Sequence, residues 1–226
     1  MTKFLGDVSD RPVQESSTPH CAITIVADVS ASMAGEKIND LNTAVNDMIE
    51  QLKYDARLRY IIDIAIFAFG EQNREPVCQG FTAVVDCGQV SLKAEDSSTY
   101  IADTLNTTID RLMDRVDLYN KGGGAYKSWL IVISDGFFHD SDYILEETGS
   151  RIKQLENQGK LHFFGLGVEG FDANQLKKFA VDPKRVIPVK SANFGEFFSW
   201  VGRSMVSISH AQVGEAVTLE PLVFTL

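Results

Sequence analysis

The stretch CAITIVADVSASMAGEKI, residues 21–38, decides how the rest of the chain is read. Its first seven residues form an unbroken apolar and β-branched run of strand length, the pattern of a strand buried on both faces of a parallel sheet. The run ends in Asp28, and Ser30 and Ser32 follow at alternate positions. From Glu36 onward Ile38, Leu41, Val45, Met48 and Leu52 recur at three- and four-residue steps, which lays one apolar stripe along a helix. A strand-end carboxylate followed by two hydroxyls suits three chemistries: a cap on the next element, a catalytic nucleophile, or part of an oxygen cradle for a cation.

Working outward, strand and helix signals keep alternating. YIIDIAIFAF (60–69) is a second buried strand, and FTAVVDC (81–87) is a strand joined to it through the polar turn GEQNREPVCQG. Ile101, Leu105, Ile109, Leu112 and Val116 mark a second helix that KGGG ends, and SWLIVIS (128–134) is the next strand. A charged helix over 142–158 precedes the strand LHFFGLG (161–167). DANQLKKFA is a short helix with Asp172 as its N-cap, and RVIPV is an edge strand, where its proline is tolerated. Phe194, Phe197, Phe198, Val201, Met205 and Ile208 mark the last helix. This order predicts an α/β fold with a doubly wound, mostly parallel sheet, one antiparallel edge strand and helices on both faces. Residues 1–18 are expected as a flexible arm, 19–210 as one domain, and 211–226 as a tail packed on it or extending from it.

Composition narrows the function. With 21 Lys and Arg against 31 Asp and Glu, the formal charge of −10 opposes nucleic acid, whose affinity for proteins rests on neutralising phosphates. Cys21, Cys78 and Cys87 show neither paired spacing nor a C-x-x-C, which fits a reducing compartment. No signal-like core and no apolar run of the ~18 residues a span requires is present, so a cytoplasmic location without membrane contact is expected.

Ligands of doubly wound sheets bind at the carboxyl ends of the strands, where the strand order reverses. Three polar segments belong there: Asp28, Ser30 and Ser32 after the first strand, Asp135 after the fourth, and Thr99 in AEDSSTYIA before the second helix. Their side chains offer only oxygen, the donor that Mg²⁺ takes while keeping several waters. Two carboxylates barely neutralise a divalent ion, which therefore stays electrophilic.

DVSASM before a helix, a Thr at a helix start and SDG after a buried strand resemble the metal-ion-dependent adhesion site of von Willebrand factor A domains. From about residue 19, MAGEKINDLN, KSWLIVISDG, FFGLGVEGFDANQL, NFGEFFSWV and GEAVTLEPL resemble more narrowly the stand-alone bacterial type associated with tellurium resistance. The resemblance implies that Ser30, Ser32 and Thr99 ligate Mg²⁺ (or Mn²⁺) directly, that Asp28 and Asp135 act largely through bound waters, and that a protein partner's acidic residue completes the shell. It implies recognition and not catalysis, in a regulatory or scaffolding component of a stress or defence system. The chain departs from the family pattern at Ala31, where Gly is frequent, and at Ser97-Ser98-Thr99-Tyr100, where Gly-Gly-Thr-Pro is frequent.

Other readings fare less well. An accessory subunit of a AAA+ ATPase complex, like the von Willebrand A subunit of magnesium chelatase, is the alternative binding role. A phosphoryl-transfer hydrolase with Asp28 as nucleophile wants a second Asp two residues on, where Ser30 stands. GLGVEG (165–170) matches a dinucleotide-loop pattern, but Lys190 and Ser191 occupy the place of the ribose-binding acid, so glycines for a tight turn are expected. GGGAYKS lacks the second phosphate-loop glycine and precedes a strand. His20, His139, His162 and His210 have no ligand spacing, and Asp140 and Asp142 are expected as surface charge or a cap on the following helix, with the rim of the site as the alternative; the aromatic cluster Phe194, Phe197, Phe198 and Trp200 is expected as core packing, with Trp200, the member off the stripe, a contact residue only if exposed.

Overall fold

Side-by-side pairing of the apolar runs builds the sheet. The computed structural model describes residues 9–15, 17–71, 77–190, 193–215, 217–219 and 221–222. The expectations for residues 1–8 of the arm, 72–76 of the polar turn, Ser191, and 216, 220 and 223–226 of the tail lie outside these. In chain order the elements are β1 (Cys21–Asp28), α1 (Glu36–Tyr54), α2 (Leu58–Ile61), β2 (Ile62–Phe69), β3 (Val77–Ala83), α3 (Ala102–Asn120), β4 (Ser128–Ser134), α4 (Asp142–Asn157), β5 (Leu161–Val168), α5 (Ala173–Lys177), β6 (Val186–Val189) and α6 (Phe194–Ser209). The strands form one six-stranded sheet in the order β3-β2-β1-β4-β5-β6. Only the β2–β3 pair is antiparallel; β1 pairs in parallel with both β2 and β4. The chain thus winds one way from β1 and the other way from β4, which makes their shared carboxyl edge the reversal point.

Alternate residues of each strand face opposite layers. Ile23, Ile25 and Ala27 of β1 join a core with α1 and α6, whereas Ala22 and Val26 join a core with α3 and α4. The thiols of Cys21, Cys78 and Cys87 are buried, and burial pushes those of Cys21 and Cys87 up to about 12. Among the described residues no helix is long and apolar enough to cross a membrane.

Several boundaries differ from expectation. The second strand starts at Ile62, because Asp55 Oδ1 accepts from the backbone N–H groups of Arg57 and Leu58 and starts the helical turn α2. The third strand covers 77–83 and not 81–87: it runs antiparallel, so at Asp63↔Ala83 it reaches the start of β2, and Val84–Asp86 turn away in a 3-10 helix. The described part of the expected arm is docked. Arg11 N donates to Phe81 O, Asp10 Oδ1 accepts from Phe81 N, and Val13 packs against the α3 layer. In the tail, Val217, Leu219 and Leu222 pack against the α6 layer.

The strand run 60–69 hides a charge. Asp63 is fully buried, and its Oδ2 accepts from Arg115 Nε at 2.8 Å, Arg115 Nη2 and the Tyr119 hydroxyl. Arg115 Nη1 donates to Arg11 O at 2.7 Å, so the docked N-terminal stretch closes the cluster. Burial, reinforced by the neighbouring Asp63 carboxylate, holds the Tyr119 phenol well above its ordinary value, and it remains a donor. Removing one member strands the other charge in the core. Asp63→Ala is expected to cost about 3–5 kcal/mol of stability in urea unfolding monitored by circular dichroism, whereas an exposed ion pair would give under ~1 kcal/mol.

Candidate metal centre

Pairing of Ala27 with Ile133 leaves Asp28 and Ser134 as the next residues of adjacent strands. Asp28 is fully buried there, with Oδ2 accepting from Ser134 Oγ at 2.6 Å and Oδ1 from Ser30 N at 2.9 Å. The second of these bonds turns the chain over the strand end and brings the hydroxyls round. Ser30 Oγ lies 3.1 Å from Ser32 Oγ, which donates at 2.7 Å to Asp135 Oδ1 on the far side. A continuous row of oxygens therefore joins the β1 loop to the β4 loop.

Thr99 arrives from the third segment. The chain from 88 to 101 lies across the carboxyl edge, tied by Ala31 N to Asp96 O at 2.8 Å and by Tyr100 N to Gly70 O at 2.7 Å. Thr99 is buried, and a Cβ built on Gly136 would stand 4.0 Å from its Oγ1, so the hydroxyl faces the residue after Asp135. All five residues singled out in the sequence, Asp28, Ser30, Ser32, Thr99 and Asp135, thus belong to loops that meet at this edge.

The electrostatics of this edge favour positive charge. Burial raises the Asp28 carboxyl above its ordinary value, opposed by the hydrogen bonds from Ser134 and Ser30 and aided by the charge of Asp135. Asp135 is partnered on Oδ2 by the ammonium of Lys37 from the first turn of α1. Among the described residues no group of three or more His, Cys, Asp and Glu could hold a metal. The donors here are three hydroxyls and two carboxylates, the all-oxygen set that suits a hard divalent ion, and the ammonium already standing on Asp135 shows that the cradle accepts positive charge.

Several positioning residues were not visible in the sequence pattern. His139 Nδ1 accepts from Thr99 N at 3.0 Å while His139 N donates to Thr99 O at 2.9 Å, a reciprocal pair that fixes the Thr99 backbone. Asp140, expected as surface charge or a cap on the helix that follows it, instead caps α3: Oδ2 accepts from Ile101 N at 2.7 Å and Oδ1 from Ala102 N at 3.3 Å. The cap of α4 is Ser141, and Asp142 pairs with Lys178. On α1, Asn42 and Asn46 grip the backbone of Leu92 and Val90 with both amide atoms at 2.8–2.9 Å. A helix spacing of four residues here matches an extended spacing of two, so α1 acts as the missing neighbour strand for the loop that leads to Thr99.

Trp200 is not a contact residue: it is buried against Trp129 and Phe164, with ring centroids 5.2 and 5.5 Å away. The dinucleotide-like glycines serve the backbone. A Cβ at Gly167 would overlap the Phe171 ring at 2.2 Å, and Gly170 takes a φ of 98° in the turn after β5. His162 is pushed down to about 4, first by burial and then by Arg185 and Lys127, and His20 stacks on Tyr119 at 5.0 Å.

Comparison with known proteins identifies the family and the fold. A sequence model of the von Willebrand factor type A domain matches residues 22–200. No curated protein sequence matches the chain. Among solved structures, the pilus adhesin SpaC of Lactobacillus rhamnosus GG is 14% identical with a TM-score of 0.65, over 88% of this chain and 31% of that one. The vWF domain of the type V pili tip protein Mfa5 of Porphyromonas gingivalis is 11% identical with a TM-score of 0.60, over 87% and 98%. Proximal thread matrix protein 1 from the mussel byssus, with a zinc-occupied MIDAS motif, is 13% identical with a TM-score of 0.54, over 85% and 48%. The chain spans about half the length of such mussel structures, 49% in one crystal form. At these identities the likeness concerns the fold.

Because the folded-state pKa of Asp28 is raised, its ionised form costs stability at neutral pH, and that cost is relieved as pH falls through the folded-state value. The isosteric Asp28→Asn keeps an oxygen for Ser30 N and an amide donor for Ser134 Oγ. In chelator at pH 7 it is expected to melt above wild type. The gap should close toward acid pH. A lower Tm than wild type at neutral pH would show that Asp28 is a net stabiliser without a metal.

Proposed function

The chain belongs to the von Willebrand factor type A domain family, and on that footing we propose that it is a metal-dependent protein-interaction module whose ligand is an acidic side chain of a partner protein. The observation that carries this reading is the oxygen row from Ser30 through Ser32 to Asp135, which joins two strand ends at the reversal point with Thr99 beside it. Ser30, Ser32 and Thr99 hold the cation through their hydroxyls. Asp28 already spends one acceptor site of each oxygen on Ser30 N and Ser134, which favours the water-mediated role for it. Bound Mg²⁺ or Mn²⁺ supplies an electrophilic position that a partner's Asp or Glu can fill.

The geometry favours recognition over catalysis. A nucleophilic Asp28 would need an open face, and it is fully buried with both oxygens engaged. Phe137 and Tyr143, 62% and 74% exposed, stand in the loop after Asp135 and at the start of α4, where large apolar side chains suit a protein contact. The pilus adhesin, the pili tip protein and the zinc-occupied motif among the structural neighbours support the same reading. The segments that resemble the tellurium-resistance-associated type place the module, in this proposal, in a cytoplasmic regulatory or scaffolding role in bacterial stress or defence.

Isothermal titration of chelator-stripped protein with Mg²⁺ and Mn²⁺ tests it. One saturable site is expected in wild type, weakened ~100-fold or more in Ser30→Ala and Asp28→Ala. A wild type that binds neither ion, with or without acetate as a surrogate carboxylate, would overturn the reading. Capture of the partner should be abolished by chelator yet tolerate moderate salt, since a chain of charge −10 repels an acidic ligand at long range. Steep weakening with salt would instead mean a basic partner surface.

A further inference from the structure

Lys37 is in an unexpected place for a lysine. It lies in the first turn of α1, after the N-cap Gly35, where the partial positive charge of the helix end disfavours a cation. Its stem nonetheless carries the ammonium onto Asp135 Oδ2, against a carboxylate whose side chain is only 1% exposed, while the lysine side chain keeps 27% exposure. The other oxygen of the same carboxylate accepts from Ser32 Oγ at 2.7 Å, so ammonium and hydroxyl row share one anchor. A divalent ion seated on that row would stand within a few ångströms of the ammonium, where two positive charges repel strongly in a site sheltered from water.

We propose that Lys37 is a tethered competitor for the cradle: it neutralises Asp135 in the metal-free protein, must leave when Mg²⁺ seats, and thereby sets the metal concentration at which the module becomes competent. The inference rests on the metal-cradle reading and adds a threshold to it. Because the lysine is already partly exposed at the rim, the displaced ammonium is released beside the ion, where the partner's carboxylate arrives. Metal loading therefore converts an internal counter-ion into a docking charge of the sign that an acidic ligand needs. The apparent affinity for the metal is reduced by the fraction of molecules in which the cradle is open. If Lys37 rests on Asp135 in nine of ten molecules, the Mg²⁺ Kd is weakened about 10-fold.

The test is Mg²⁺ titration calorimetry on wild type, Lys37→Met, Lys37→Gln and Lys37→Arg, with Asp28→Ala as the control for the cradle, alongside Tm in chelator and in saturating Mg²⁺. Both neutral variants are expected to bind Mg²⁺ about 10-fold more tightly than wild type, to melt lower in chelator, and to gain more from Mg²⁺. Lys37→Arg, which keeps the charge, should bind no more tightly than wild type. Equal or weaker Mg²⁺ binding in both neutral variants, with binding still lost in Asp28→Ala, would overturn the competitor role and leave the cradle standing. Absence of Mg²⁺ binding in wild type and in both neutral variants would overturn the cradle itself, and the competitor with it.

Discussion

Two carboxylates at the ends of neighbouring parallel strands are the constraint around which the carboxyl edge of this sheet is organised. The order that sets β1 beside β4 brings the Asp28 and Asp135 loops together, and burial leaves the residues only 0% and 5% exposed. Buried like charges are costly unless each carboxylate oxygen has a partner. Here Ser134, the Ser30 amide, Ser32 and Lys37 meet them, and each of these belongs to a segment whose path is set by that duty.

The same edge needs a third segment that belongs to no strand there. The stretch before α3 is long and irregular, and an irregular chain cannot hold a hydroxyl in place unless its backbone is hydrogen-bonded elsewhere. Three sources supply the bonds. Asn42 and Asn46 hold Leu92 and Val90, the Val29 carbonyl takes the N–H groups of Glu95 and Asp96, and His139 with Asp140 secures the chain from Thr99 into α3. The loop that carries Asp135 thus also positions Thr99, so a disturbance at either residue reaches the other through a few hydrogen bonds.

What the sequence made legible follows from what leaves a local trace. Continuous apolar runs such as CAITIVA and SWLIVIS mark strands buried on both faces, and the alternation of strand and helix signals limits the topology to a doubly wound sheet. The family spacing then leads directly to five positions that meet in space. Partners far apart in sequence left no such trace. Asp63 sits inside a run that looks uniformly apolar, and its partner Arg115 lies on a helix face 52 positions later. The Asn42 and Asn46 amides resemble ordinary helix-surface residues until the loop they hold is in place. The third strand lies earlier than its apolar content suggests because that content cannot say where an antiparallel partner runs out, and Trp200, off the stripe, is buried with its cluster because the core on the α6 face is wider than a single stripe.

The sheet carries two acid–base pairs that meet opposite requirements. Asp63 faces Arg115, with side chains 0% and 2% exposed, and the rigid guanidinium fork is fixed by several bonds at once. Such a pair has nowhere to go, since opening it would leave a charge stranded in the core. Asp135 faces Lys37, whose compact ammonium ends a flexible stem with 27% of the side chain exposed. Lysine makes no planar fork, is readily hydrated, and leaves a carboxylate at small cost when its stem already reaches solvent. The difference in residue type and exposure separates permanent neutralisation from exchangeable neutralisation. In the proposed metal-binding role, an edge that must stay folded without a cation, and still yield to one, requires the second kind.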